Sequence, residues 1–117
     1  MLLKANERKF TSVEHLRGGD GSVDKFDCGV VPMPPHAAMF AEIQLRPGCS
    51  IGTHRHEGEY EIFFCKEGEI VLNDNGTEKL MHTGDFAVCF DGEEHGIANR
   101  TDAPAAVYAA IIKTKED

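Results

Sequence analysis

The sequence lacks the features of composition that mark several large classes of protein. Its 117 residues include no tryptophan, two tyrosines and five prolines, and its four cysteines form no CxxC pair. The longest uninterrupted apolar run covers residues 105–112, less than half of the roughly 20 residues that a membrane-spanning helix needs. These absences exclude a proline-rich fibre, a disulfide-dense scaffold and a helical membrane protein.

Positive charge is also scarce. Twelve Lys and Arg residues stand against 20 Asp and Glu, which gives a formal net charge of −8. Such a surface repels phosphate backbones and anionic membranes, so neither nucleic acid nor a membrane is an expected partner. The first ten residues hold no apolar stretch of signal-peptide length. We therefore expect a cytoplasmic protein with reduced cysteines.

The hydrophobic pattern favours strands over helices. Apolar residues alternate with polar ones in short runs that end at Gly, Asn, Asp or Pro, which is typical of strands and tight turns. About seven such runs follow residue 39, and NDNG at 73–76 is a hairpin signal. The length suits one domain, and the pattern predicts an all-β sandwich or barrel to which residues 1–38 add a strand or two.

Four residues point to a metal site: His54, His56, Glu61 and His95. His54 and His56 lie two apart, so on a strand they project from the same face. A hairpin after His56 would bring the Glu61 carboxylate beside both imidazoles. His95 comes from a distant strand, and a barrel allows inward side chains of distant strands to meet.

The donor set narrows the choice of metal. Three imidazoles and one carboxylate suit divalent Mn, Fe, Co, Ni or Zn. On an octahedral ion they leave two open positions, whereas a tetrahedral Zn²⁺ would be filled and therefore structural. We favour Mn or Fe for chemistry. The ion would keep a net positive charge, which attracts a small anionic ligand.

The spacing of these residues resembles the two-part signature of the cupin superfamily. Gly48, His54, His56, Glu61 and Gly68 fall on the first motif; Gly84, Gly92, His95 and Asn99 fall on the second. The 15 residues between the motifs, 69–83, resemble the short separation of small single-domain members. One position departs from the pattern, because Phe90 stands where the second motif usually has proline.

The resemblance implies a double-stranded β-helix, or jelly-roll barrel, in a single domain over residues 1–117. The barrel would cover about residues 36–113, with residues 1–35 as an extension of strands and loops. It implies metal binding by the four residues and a pocket for a small ligand, possibly a carboxylate. Three functions stay open: a metal-dependent oxygenase, isomerase or decarboxylase, a non-catalytic binding or sensor module, and a metal that only staples the barrel. Small members are often homodimers, and we expect pairing through edges such as the last strand.

Alternation also predicts the pocket. The inward candidates are largely apolar: Ala41, Ile43, Phe63, Cys65, Ile97, Val107, Ala109 and Ile111. We expect no inward Arg or Lys and no general base beyond the ligands, which weakens the enzyme hypothesis. Glu59 and Tyr60 are expected to face away from Glu61 or to lie at the rim. The other histidines, at 15, 36 and 82, are expected on the surface or in loops.

Overall fold

Ten antiparallel strands form two facing sheets in the computed structural model, which describes residues 1–28 and 33–115. Residues 29–32 and 116–117 lie outside the described ranges. Residues 29–32 belong to the predicted N-terminal extension, so that stretch of the extension is not described. The strands are β1 (Lys9–Glu14), β2 (Ser22–Asp27), β3 (Ala37–Leu45), β4 (Ser50–Arg55), β5 (Glu59–Glu67), β6 (Glu69–Asp74), β7 (Thr77–His82), β8 (Phe86–Cys89), β9 (Glu94–Ala98) and β10 (Ala105–Lys113). The all-β jelly-roll barrel is confirmed. Across the described ranges, no helix has the length and apolar character needed to cross a membrane.

The strand order explains how distant residues meet. One sheet has the order β1-β2-β3-β10-β5-β8 and the other β4-β9-β6-β7. The N-terminal extension supplies the β1–β2 hairpin, and β2 pairs with β3, so this segment widens the larger sheet. Strand β10 lies between β3 and β5. The expectation that the last strand is a free edge is therefore wrong, because both of its hydrogen-bonding sides are occupied.

Strand alternation sets the core between the sheets. On β3, Ala41, Ile43 and Leu45 are buried in one hydrophobic cluster with Phe63 of the same sheet and with residues of the facing sheet such as Ile97. The hairpin between β6 and β7 turns at Asn75 and Gly76, both with positive φ, as the NDNG signal predicts.

One residue of β3 departs from simple alternation. Glu42 points out of the core, yet it is only 5% exposed. Arg8 and Lys66 cover it, with N–O distances of 2.7 and 2.9 Å. Burial alone would raise the pKa of Glu42, but hydrogen bonds from Gln44, Lys66 and Arg8 outweigh it and lower that pKa to about 2. The ion pair with Arg8 thus ties the N-terminal segment to the outer face of the sheet.

The cysteines are free thiols. Cys65 and Cys89 are buried, as their apolar neighbours in the sequence predict. Burial raises the pKa of both thiols, in Cys89 to about 11. Buried thiols of high pKa pack as small hydrophobic side chains and are poor nucleophiles.

Candidate metal centre

The four predicted ligands meet at one point between the two sheets. His54 lies on β4 and His95 on β9, and the two are paired across the smaller sheet. Glu61 comes from β5 in the larger sheet, and His56 follows directly after β4. The donor atoms of all four lie within 4.8 Å of one another, so the group could hold a metal ion.

The connection between His56 and Glu61 is not a hairpin, which corrects the sequence-based expectation. Strand β4 pairs with β9, whereas β5 pairs with β8 and β10, so the chain crosses here from one sheet to the other. The loop before β9 supports this crossing: the His56 N–H donates to the Glu93 carbonyl at 3.0 Å, and the Gly92 N–H donates to the His56 carbonyl at 2.7 Å. The crossing places the carboxylate opposite the imidazoles rather than beside them.

Phe90, the departure from the family pattern, opens that supporting loop. Its backbone N–H donates to the Glu93 carboxylate at 2.9 Å, a bond that proline lacks the donor to make. The ring is 60% exposed and points away from the centre. The loop thus closes by a hydrogen bond where the family pattern uses the fixed proline backbone.

Backbone and side-chain acceptors fix how two imidazoles face the centre. Nδ1 of His54 lies 2.8 Å from the Gly52 carbonyl oxygen, which can only accept, so Nδ1 carries the proton. Nδ1 of His56 lies 2.6 Å from the Glu59 carboxylate and donates to it. In the neutral rings both Nε2 atoms therefore present lone pairs to the centre. The two Nε2 atoms lie only 3.2 Å apart.

Glu61 adds a negative charge to the same point. Its Oε1 lies 3.0 Å from Nε2 of His56 and 2.9 Å from Nε2 of His95. Burial would raise the pKa of Glu61, but interactions with His54, His95 and His56 outweigh it and lower the pKa to about 2, so the carboxylate is ionised at neutral pH. Converging lone pairs and a buried carboxylate repel one another unless a cation lies among them. The donor set therefore fits a divalent metal.

Packing holds the rings in place. The three imidazoles lie edge to face, with ring centroids 4.8 to 4.9 Å apart. Phe63 stacks on His95 at 4.8 Å with an interplanar angle of 11°. His56, Glu61 and His95 are almost fully buried, whereas His54 keeps 11% of its side chain exposed. The centre is thus rigid and opens to solvent on the His54 side.

A cavity of about 130 Å³ adjoins His54, His56 and Glu61. Three of the predicted pocket residues line it: Ile43, Phe63 and Ile111. The other five, Ala41, Cys65, Ile97, Val107 and Ala109, are buried in the core and are not among its lining residues. Leu16, Met39 and Ile51 complete the apolar wall.

Arg17 and Lys25 also line this cavity, so the expectation of no inward cation is wrong. Lys25 has a sequence signal, because it shares the inner face of β2 with buried Val23. Arg17 has none, since it reaches the cavity from a short turn. Sequence reasoning also missed the contact of Glu59 with His56, although Glu59 opens β5 two residues before Glu61 and strand alternation places both carboxylates on one face.

The remaining signature residue and histidines have other partners. Asn99 is buried, donates to the carbonyls of Leu45 and Ala103 and accepts from Thr101, so it closes the loop after β9. His15 contacts the Gly19 carbonyl and His82 the Glu69 carboxylate, away from the centre. The third, His36, contacts the Lys113 carbonyl.

Comparison with known proteins places this geometry in a family. The family model described as "Cupin domain" matches residues 41–111, more than half of the chain. The chain is a cupin. It is 34% identical over 113 residues to the "Oxalate-binding protein" of Thermotoga maritima, covering 96% of this cupin and 93% of that protein.

Solved structures agree with the fold. A T. maritima protein described as a "predicted oxalate decarboxylase" is 32% identical and superposes with a TM-score of 0.87, over 97% of this cupin and 99% of that chain. KdgF from Halomonas sp. superposes with a TM-score of 0.76 at 17% identity, over 100% of this cupin and 96% of that chain. The second likeness shows the fold alone.

Proposed function

We propose that this cupin binds one divalent transition metal through His54, His56, Glu61 and His95 and holds a small carboxylate on the open coordination positions. The observation that carries the proposal is the convergence of three imidazoles and an ionised carboxylate on one buried point. Hydrogen bonds from Nδ1 of His54 and of His56 orient these two rings so that Nε2 faces the centre. Metal-binding histidines in proteins are usually oriented in this way.

The spacing of the donor atoms supports a six-coordinate ion. Metal–ligand bonds of about 2.1 Å put adjacent octahedral ligands about 3.0 Å apart and opposite ones about 4.2 Å apart. The contacts among His56, Glu61 and His95 are 2.9 to 3.0 Å, that from His54 to His56 is 3.2 Å, and that from His54 to Glu61 is 4.0 Å. A tetrahedral ion would instead need nearly equal spacings. This unequal set favours Mn or Fe over Zn, with Co and Ni as other octahedral candidates.

A carboxylate is the ligand that the charges favour. A divalent ion with one carboxylate ligand keeps a net positive charge, and the adjoining cavity adds Arg17 and Lys25. The volume equals that of about four water molecules in the liquid, enough for a small acid. The name of the T. maritima relative, an oxalate-binding protein, supports the same ligand class.

Decarboxylation is the second candidate, favoured by the relative described as a predicted oxalate decarboxylase. Replacing a carbon–carbon bond by a carbon–hydrogen bond requires a proton donor near the substrate carbon. Among the described lining residues, Glu61 is the one carboxyl group, the histidines are those of the centre, and Lys25 is the one further side chain that could give up a proton. We therefore place binding first and catalysis second.

Metal content and ligand titration test this function. We expect about one divalent metal per chain after purification without a chelating tag, and calorimetric binding of oxalate to the Mn-loaded protein but not to the stripped protein. His95→Ala should lose the metal. His82→Ala, which alters an exposed histidine outside the centre, should keep it.

Two results would separate the candidates. Release of formate or carbon dioxide from bound oxalate, or uptake of oxygen by the Fe-loaded form, would show an enzyme. Saturable binding without turnover would show a binding or sensor module. A chain that takes up no metal even after reconstitution would contradict both.

The proposal includes a reducing, cytoplasmic location and a homodimer. The four free thiols support the reducing location.

The outer face of the larger sheet carries exposed aromatic side chains, Phe40, Phe86 and Tyr108. They support a homodimer in which two copies pair face to face rather than strand to strand. Light scattering on Phe86→Lys should show a monomer if this face is the interface. A wild-type monomer at every concentration would contradict the dimer.

A further inference from the structure

Arg17 and Lys25 form a cationic wall of the cavity beside the centre. Lys25 on β2 is the cross-strand partner of Ile43 on β3, and paired residues of antiparallel strands present their side chains on the same face. Because Ile43 lines the cavity, Lys25 is directed there as well, with 28% of its side chain exposed. Its contact with the Asp27 carboxylate is long, at 3.7 Å, so its ammonium group is free to approach a second anion.

Arg17 reaches the same cavity from a turn that the fold keeps in a costly conformation. Both His15 and Arg17 have left-handed backbones, with φ of 52° and 55°. Side-chain-bearing residues rarely adopt this region, and they persist there only where surrounding contacts enforce it. The turn is therefore a position at which packing, and not local preference, fixes the backbone from which the exposed Arg17 side chain extends.

The contacts that enforce this turn come from β4, the strand of His54. A Cβ atom on Gly52 would lie 2.0 Å from the Arg17 carbonyl oxygen, and one on Gly19 would lie 2.1 Å from the Ser50 carbonyl oxygen. The Asp20 N–H donates to Ser50 Oγ, and the Ser50 N–H donates to the Asp20 carbonyl. Close backbone packing thus fixes the backbone of the Arg17 turn relative to β4, the strand that carries His54.

We propose that Arg17 and Lys25 receive the second carboxylate of a dicarboxylate whose first carboxylate reaches the metal. The site then selects dianions over monocarboxylates of similar size. This inference rests on the proposed function. Two cations in one small cavity are notable in a chain with a net charge of −8. The Arg fork matches the two oxygens of a carboxylate, and the Lys ammonium adds a point charge.

Calorimetry on the Mn-loaded protein with oxalate, malonate, formate and acetate tests the selection. Arg17→Met and Lys25→Met should each weaken oxalate and malonate binding by roughly five- to tenfold, because each removes one partly exposed ion pair. Formate and acetate binding should change by less than about twofold. Arg17→Lys should restore part of the oxalate affinity by restoring the charge.

The matched control is Arg100→Met, which removes the same charge from an exposed position paired with Glu78 on the smaller sheet. It should leave every affinity unchanged. Metal content is measured on each variant. If a variant of Arg17 or Lys25 loses the metal, that residue supports the metal centre and does not act by contacting the carboxylate, which would overturn the assignment.

The failures are distinguishable. Wild-type protein that binds oxalate while both Met variants bind it equally well would overturn the role of Arg17 and Lys25 and leave the proposed function intact. Wild-type Mn-loaded protein that binds none of the four acids would overturn the proposed function itself. Equal affinity of the wild type for formate and oxalate would also overturn the selection.

Discussion

Replacing Glu59 tests whether the centre depends on a residue that does not contact the metal position. Its carboxylate accepts from Nδ1 of His56 at 2.6 Å, a short charge-assisted bond to a ring that is 2% exposed. Without this acceptor the ring can lose its orientation or carry its proton on Nε2, where it blocks metal binding. Partners of this kind change metal affinity by about 10- to 100-fold, or about 1.4 to 2.7 kcal/mol.

We therefore expect Glu59→Ala to weaken Mn²⁺ binding by about 10- to 100-fold, measured by competition with a chromogenic chelator. Glu59→Gln should lose less, because its amide oxygen can still accept from Nδ1. The control is Glu57→Ala, which removes the same charge from an exposed position two residues earlier.

An equal loss of Mn²⁺ affinity in Glu57→Ala and Glu59→Ala would refute the reasoning, because the effect would then come from the change in net charge alone. An unchanged affinity in Glu59→Ala, with the fold intact by circular dichroism, would refute the orienting role of the hydrogen bond.

Three further outcomes follow from the same contacts. Because its folded pKa of about 2 lies below the ordinary 4.5, Glu42 stabilises the fold by on the order of 3 kcal/mol above pH 4.5 and loses this as the pH falls toward 2, so urea unfolding of Glu42→Gln should depend less on pH in that window. Gly52→Ala should displace the Arg17 turn, because its Cβ would lie 2.0 Å from a backbone oxygen, and should lower both oxalate affinity and thermal stability. Asn99→Ala removes the side-chain donor from the buried Leu45 carbonyl and one of two donors from the Ala103 carbonyl, and should cost about 1 to 3 kcal/mol by denaturant titration, with the metal still bound by the folded fraction.

The strands and the four-residue cluster could be predicted because both depend on regular spacing. Alternation identifies Ala41, Ile43 and Leu45 as inward, and the structure buries all three. The cluster depends on fixed gaps between His54, Glu61 and their partners in the two motifs. In each case a local period in the sequence maps directly onto one face of a strand.

Sheet partners could not be predicted in the same way. The segment after His56 carries turn-prone glycine and charged residues, which fit a hairpin and a crossing between sheets equally well. The choice depends on which strand each flank pairs with, and those partners, β9 for β4 and both β8 and β10 for β5, lie more than 20 residues away in the sequence. For the same reason Glu42 counts as an outward polar residue until Arg8 folds over it.

Gly52 shows why the cationic wall was missed and why it belongs to the centre. Its carbonyl oxygen holds the Nδ1 proton of His54, which turns the Nε2 lone pair toward the metal position. The absence of a side chain on the same residue lets the turn of Arg17 pack against β4. A change at this position would therefore alter the proposed metal ligand and the proposed anion partner together, although His54 and Arg17 lie 37 residues apart in the sequence. No pattern of side chains could reveal this coupling, because both contacts are made by the backbone. If carboxylate selectivity differs among related cupins with the same four ligands, the difference should therefore lie in the N-terminal turn and in whether β4 leaves room for it.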